Sequence, residues 1–242
     1  MYGRKEVMKV KKDVMILTGA GQIGMAIARR MGYGKKIVIG DKKLENAQKI
    51  AEVMNNAGFD AEAVEMDLSS RESIRNLIAR AIECGVGVTI SSQSGHRMPA
   101  LRPEEDELLA CTPAEELLQL DILQLENIRD TLHAYQMAKR CNEKRVMAEA
   151  VKWGKRNARI NSISPGIIVT PLAVDELNGP RGDFYKNMFA NCPAGRPGTA
   201  DEVANAAELL MSDKGAFITG ADFLIDGGAT ASYFYGPLKP EK

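Results

Sequence analysis

The sequence predicts an α/β fold: a doubly wound parallel sheet with helices on both faces, in a single domain. Three observations carry this. Short apolar runs alternate with segments of helical period, the connections between them are short, and a glycine-rich loop joins the first run to the first helix. A length of 242 residues, 45% hydrophobic and 26% charged, suits one globular domain of the larger sort rather than a disordered chain.

Taken in order, "DVMILTGA" (13–20) and "KKIVIGD" (35–41) are apolar runs closed by Gly or Asp, the pattern of strands buried on both faces, with a helix between them. Apolar positions 44, 47, 51 and 54 mark the face of a second helix, which Asn55-Asn56-Ala57-Gly58 closes. "AEAVEMD" (61–67) reads as the third strand. Ser69 and Glu72 form a capping box for a helix carrying Ile74, Leu77, Ile78 and Ala81, and "GVGVTISS" (85–92) follows as strand. The stretch 96–130, rich in proline, leucine and acid, interrupts the alternation and reads as an inserted surface excursion with one or two short helices. Its run Glu104-Glu105-Asp106-Glu107 reads as a solvated face. A helix over 131–156, strand "ARINSIS" (158–164), a loop through Pro165-Gly166, Pro171 and Gly179-Pro180, and a short helix near 183–190 come next. Thr199 and Glu202 cap a helix with Val203, Ala206, Ala207 and Leu210 inward, and "DFLID" (222–226) is the last strand.

Composition narrows the partners. Thirty-two basic residues balance thirty-two acidic ones, so no electrostatic footprint for nucleic acid or an anionic membrane exists, and a small molecule is the expected partner. Cys84, Cys111, Cys141 and Cys192 lie far apart without a CxxC pair, which argues against a disulfide framework or zinc site and for reduced thiols in the cytoplasm. The basic start "MYGRKEVMKVKK" has no apolar stretch behind it, and no apolar run approaches a membrane span.

After Thr18, the loop Gly19-Ala-Gly21-Gln22-Ile23-Gly24 matches G-x-G-x-x-G between a strand and a helix, and Asp41 closes the second strand 17 residues past the last glycine. The first glycines allow a tight turn and close approach of backbone to a pyrophosphate. Gly24 lets helix pack on strand, and the helix N-terminus offers N–H groups to phosphate. A carboxylate at Asp41 suits the ribose hydroxyls of NAD and repels the 2′-phosphate of NADP, with Lys42 and Lys43 alongside weakening the discrimination.

"HAYQMAK" (133–139) sets Tyr135 and Lys139 one helical turn apart on one face. An ammonium near a phenol favours phenolate and readies it to exchange a proton with an alcohol or carbonyl. Alone the pair is a common coincidence. Together, "TGAGQIG", "ISSQSG", the Tyr135–Lys139 pair, "RINSISPGIIVTP" and "CPAGRPGTADEVANAAELLMSDKGAFITGADFLIDGG" stand in the order of the short-chain dehydrogenase/reductase family, which the sequence resembles along nearly its whole length. The resemblance implies a Rossmann-type domain and a homo-oligomer, dimer or tetramer. It implies Ser92 as holder of the substrate oxygen (Ser91 and Ser94 being alternatives), Tyr135 as general acid/base, and Lys139 as partner of both the tyrosine and the nicotinamide ribose. It sets Pro165, Gly166, Ile168 and Thr170 beside the nicotinamide and pyrophosphate, and Asp67 with Leu68 beside adenine. The activity implied is hydride exchange between NAD and a secondary alcohol or ketone.

Four departures qualify the resemblance. The glycine loop is one residue shorter than the family's, Ala138 stands where the family has serine, and 42 residues intervene between Ser92 and Tyr135. Between Asp67 and Ser92, "LSSRESIRNLIARAIECGVG" has room for one helix only, so a whole βα unit with the family's NxAG strand and its tetrad asparagine is missing. Six strands are expected instead of seven, and a right-handed crossover can bring strand 86–91 into the vacated central place. The missing unit keeps a second reading open: a nucleotide-binding or structural relative without catalysis. A methyltransferase or epimerase is disfavoured because Tyr135 and Lys139 would be idle. His96 and His133 have no ligand-spaced partners, so no metal site is expected, and His96 is a candidate for touching substrate. Trp153 is expected in core or interface, and the 96–130 segment as lid or oligomer contact.

Overall fold

The computed structural model describes residues 13–19, 21–67, 70, 72–73, 86–180 and 182–240. The chain forms two compact units, residues 1–84 and 85–242, each holding a three-stranded parallel sheet.

In the first unit β1 (Val14–Thr18), α1 (Gln22–Met31), β2 (Lys36–Asp41), α2 (Leu44–Asn56) and β3 (Asp60–Glu65) alternate as expected. Parallel neighbours need a crossover, and α1 and α2 supply the two. The strand order is β1-β2-β3. β2 lies in the middle, and Ile37, Val38 and Ile39 are at most 1% exposed, which is why that stretch is an unbroken apolar run. Ala28 of α1 and Ala47 and Met54 of α2 are fully buried at the positions their helical period marks. A Cβ on Gly24 would stand 2.7 Å from Cδ1 of Leu17, so glycine is what lets α1 lie close against β1. Ser69, Ile74, Leu77, Ile78, Ala81 and Cys84, part of the expected capped helix and its end, lie outside the described residues.

The second unit runs β4 (Val86–Ile90), α3 (Gln93–His96), α4 (Pro103–Cys111), α5 (Thr131–Gly154), β5 (Arg159–Pro165), α6 (Pro171–Asn178), α7 (Gly182–Asn191), α8 (Ala200–Met211), β6 (Asp222–Ile225) and α9 (Ala229–Tyr235), with short 3₁₀ turns between 117 and 127. β5 is central, buried from Ile160 to Pro165. The Thr199–Glu202 capping box forms and α8 buries Val203, Ala204, Ala206, Ala207 and Leu210. Trp153 packs with Val146, Ala150 and Ile160, and its ring lies 2.9 Å from where a Cβ on Gly87 would stand; it is a core residue.

Five features differ from the sequence expectation. The six described strands pair as two sheets of three, and β4 takes β5 as its hydrogen-bonded neighbour, from Val86 opposite Arg159 to Ile90 opposite Ile163. The 96–130 segment is tied down: Met98 and Leu109 pack on Met137 and Cys141 of α5. Within its acidic run, Asp106 turns inward to a bidentate pairing with Arg140 (2.9 and 2.6 Å) and to Lys144 at 3.2 Å. Pro171 starts a helix instead of lying in a loop, because proline at the first helical position loses no hydrogen bond, and α9 follows the glycines at 227 and 228. Among the described residues no helix is long and apolar enough to cross a membrane.

Candidate active site

The first unit presents the glycine loop. Gly19 has φ +86°, a left-handed conformation that glycine adopts freely, and its N–H donates to Gly40 O at 2.7 Å. Gly21 is the N-cap of α1 and brings no side chain to the helix end, and the first turn, with Gln22, Ile23 and Gly24, holds no acidic residue. Thr18, Gly19, Gly21 and Gln22 are exposed. The positive end of a ten-residue helix is thus left open beside exposed Gly19 and Gly21, the surroundings a phosphate ester needs. Asp41 closes β2, its Oδ1 accepting from Lys43 N at 2.9 Å and Asn46 Nδ2 at 3.5 Å. Asp67 pairs with Lys42 at 3.1 Å. Leu68 lies outside the described residues.

The second unit carries Ser92, Tyr135 and Lys139. β4 ends at Ile90, and Lys139 grips that end twice: its Nζ donates to Ile90 O at 3.3 Å, and its own carbonyl accepts from Ser91 Oγ at 3.1 Å. Ser92 follows as N-cap of α3, with Oγ accepting from Ser94 N at 3.2 Å. Acting as an acceptor there leaves its hydroxyl proton uncommitted, whereas the Ser91 proton has two protein acceptors, Lys139 O and Glu143 Oε1. Lys139 Nζ lies 5.5 Å from the centroid of the Tyr135 ring, which is 47% exposed. Burial pushes the Lys139 ammonium below the usual lysine range, with Glu143 opposing.

Of the loop after β5, Pro165 closes the strand opposite Ile225. A Cβ on Gly166 would stand 2.8 Å from Asp226 Cα. Ile168 is buried and bridges to Gly198, and Thr170 caps α6, Oγ1 accepting from Ala173 N at 3.2 Å. Gly166 and Ile168 line a cavity of about 160 Å³ together with Gln93, Met188, Phe189 and Ile225.

Glu143 extends the face of α5 one turn beyond Lys139 and is 5% exposed. Its Oε1 accepts from Ser91 (3.1 Å) and Ser164 (3.3 Å) and lies 3.8 Å from His96 Nε2. His96 in turn meets Asp222 Oδ2 at 2.7 Å, and Asp222 Oδ1 accepts from Ser162 and Ser164. His96, Glu143 and Asp222 offer the donor types of a divalent-cation site, a grouping that residues spread over three elements hide from sequence reading. Spacing alone could have flagged Glu143, four positions past Lys139, but nothing local points to Asp222.

The Asp222 hydrogen bond holds the His96 imidazole above its ordinary value of 6.5, against desolvation and with help from Glu143; Arg140 works the other way. The folded chain therefore keeps this proton to higher pH than the unfolded one. That contribution is fully present below about 6.5 and is lost as pH rises through the folded value. Thermal melts are expected to show stability falling as pH rises above about 6.5, with Asp222→Asn flattening the fall. An unchanged slope in the variant would dissociate His96 from it.

Family models agree along the chain: one described as short chain dehydrogenase matches residues 13–95, and one described as Enoyl-(Acyl carrier protein) reductase matches residues 107–230. The short-chain dehydrogenase/reductase bsc3 of Alternaria brassicicola is 30% identical over 267 residues, covering 92% of this chain and 97% of its own. The 2,5-dichloro-2,5-cyclohexadiene-1,4-diol dehydrogenase LinX of Sphingobium indicum is 30% identical over 242 residues, covering 90% of this chain and 95% of its own. A crystal structure of hydroxysteroid dehydrogenase from Escherichia coli shares the fold, with TM-score 0.67, 22% identity, and coverage of 89% of this chain and 95% of that one. With the alternating fold, the glycine loop and these relatives together, the chain belongs to the short-chain dehydrogenase/reductase family of oxidoreductases.

Proposed function

We propose that the chain interconverts a secondary alcohol and a ketone with NAD as cofactor, Tyr135 acting as general acid/base. The observation that supports it most is the Tyr135–Lys139 stack on one face of α5, with the lysine fastened to the strand end that leads into Ser92. When bound, the nicotinamide supplies hydride acceptance and donation. Tyr135 takes the alcohol proton in oxidation and returns it to the carbonyl oxygen in reduction. Lys139, half-buried, sets its ammonium 5.5 Å from the Tyr135 ring centroid and holds the ring beside the end of β4. Ser92 donates its free hydroxyl proton to the substrate oxygen, a contact worth about 3 kcal/mol where charge develops on that oxygen. NAD over NADP is supported by Asp41, whose carboxylate repels a 2′-phosphate, and by Lys42, whose charge is turned to Asp67.

The test is a screen of secondary alcohols and ketones with NAD and NADP side by side, following nicotinamide absorbance. Turnover with NAD preferred is expected; no turnover of any pair in either direction would contradict the proposal. A second reading, a nucleotide-binding relative without catalysis, rests on the pairing of the strands as two sheets of three and on the missing βα unit. It predicts dinucleotide binding with no turnover.

A further inference from the structure

Two strong donors in the second unit aim at a weak acceptor. Gln93 Nε2 and Arg97 Nη1 each lie 3.8 Å from Sδ of Met188, and a thioether accepts hydrogen bonds poorly. Around them polar atoms remain unpaired. Gln93 Oε1, Arg97 Nε and Thr230 Oγ1 are three of the four buried side-chain nitrogen and oxygen atoms without a hydrogen-bond partner among the described residues. Gln93 is only 4% exposed. Thr230 shares its face of α9 with Tyr233, three positions on, whose ring lies 5.8 Å from the Arg97 guanidinium.

Arg97 is a half-buried cation, its Nε fully buried, short of an anion. Among the described residues no carboxylate lies in ion-pair contact with it, and burial pulls it below the usual arginine range, with Asp226, Tyr233 and Tyr185 opposing. Asp226, the first of these, is committed to its own turn: Oδ1 accepts from Gly228 N at 2.9 Å and Oδ2 from Thr230 N at 2.7 Å. A guanidinium taken out of water without compensation is unfavourable, and an amide oxygen left unpaired adds to the penalty. Gln93 and Met188 both face the 160 Å³ cavity, whose walls are largely apolar and whose two carboxylates, Glu202 and Asp226, are engaged by Arg196 and by the Gly228 and Thr230 amides. Arg196, the one cation among the cavity's lining residues, is already held by Glu202 at 2.9 and 2.6 Å, and Arg97 stands behind the lining, touching it through Met188. Both donors neighbour the proposed catalytic residues: Gln93 follows Ser92, and the Arg97 carbonyl accepts from Nε2 of Gln136, the residue after Tyr135, at 3.1 Å.

From this we infer that the cavity binds the carboxylate of a small hydroxy or keto acid. Arg97 and Gln93 Nε2 donate to the carboxylate in place of the Met188 sulfur, and Gln93 Oε1 accepts from a hydroxyl of the ligand. Met188 is unbranched and flexible, so its sulfur can swing aside without disturbing the backbone. A guanidinium fork matches the two oxygens of a planar carboxylate. The substrate class rests on the proposed alcohol and ketone chemistry; the binding of a carboxylate does not.

Butyrate and butyramide, titrated into the cofactor-free chain by NMR, separate charge from shape. Butyrate is expected to bind about tenfold or more tighter than the amide, and Arg97→Met to remove that preference. Should Arg97→Met fail to fold, the wild-type ratio and the partial retention expected of Arg97→Lys decide. Equal affinity for acid and amide, or butyrate affinity untouched in Arg97→Met, overturns the inference. Oxidation of 3-hydroxybutyrate against its methyl ester with NAD then distinguishes the two proposals. Turnover of acid and ester with equal KM in wild type and Arg97→Met would refute the carboxylate site while leaving the dehydrogenase. Arg97-dependent butyrate binding without turnover of any alcohol would keep the site and refute the dehydrogenase.

Discussion

Replacing Tyr135 by Phe is expected to lower turnover by roughly 10²- to 10⁴-fold, the range that a positioned general acid/base supplies. The substitution removes one oxygen and nothing else. The ring is 47% exposed and its contact with Lys139 is to the face, 5.5 Å from centroid to ammonium, so Phe keeps both packing and cation–π contact. Melting temperature and dinucleotide affinity should stay at wild-type values while kcat collapses. Turnover equal to wild type in the variant would remove Tyr135 from the chemistry. Lys139→Met should also depress kcat, but with an added loss of stability, because Nζ fastens α5 to the Ile90 carbonyl.

Ile163→Ala is expected to cost about 2–5 kcal/mol of folding stability, the usual range for truncating a filled core position. Ile163 is 0% exposed at the middle of the central strand β5, between Ile90 of β4 and Phe223 of β6. Its carbonyl also accepts from Ser91 N at 2.7 Å, the bond that sets where β4 ends and Ser92 begins. Denaturant unfolding should show a lower midpoint at constant slope. Leu118→Ala, at a side chain 79% exposed, should shift stability by less than about 0.5 kcal/mol and serves as control. A loss below about 1 kcal/mol for Ile163→Ala would contradict its place in the core.

What the sequence made legible were features written in local chemistry. An unbroken apolar run marked β2 because that strand is buried on both faces, and Gly24 was read correctly because a side chain there would collide with Leu17. The Thr199–Glu202 box announced α8. What escaped were pairings between distant residues. Asp222 lies 126 positions from His96, and Asp106 looked like one more solvated acid until α5 brought Arg140 and Lys144 to it. Strand partners escaped for the same reason: an apolar run says that a strand is covered, not by which neighbour. Pro171 was read as part of a loop because its sequence context cannot separate a loop proline from one that opens a helix. Nothing in the sequence marks Gln93 and Arg97; only the structure shows that Gln93 Oε1 and Arg97 Nε are buried without partners among the described residues.

The account turns on a dinucleotide being held by this chain. Titrating the protein into NADH and following nicotinamide fluorescence tests this most directly. A saturable rise with a dissociation constant below about 1 mM, displaced by NAD and weakened in Asp41→Ala, is the result predicted. No change in fluorescence at millimolar NADH would contradict it.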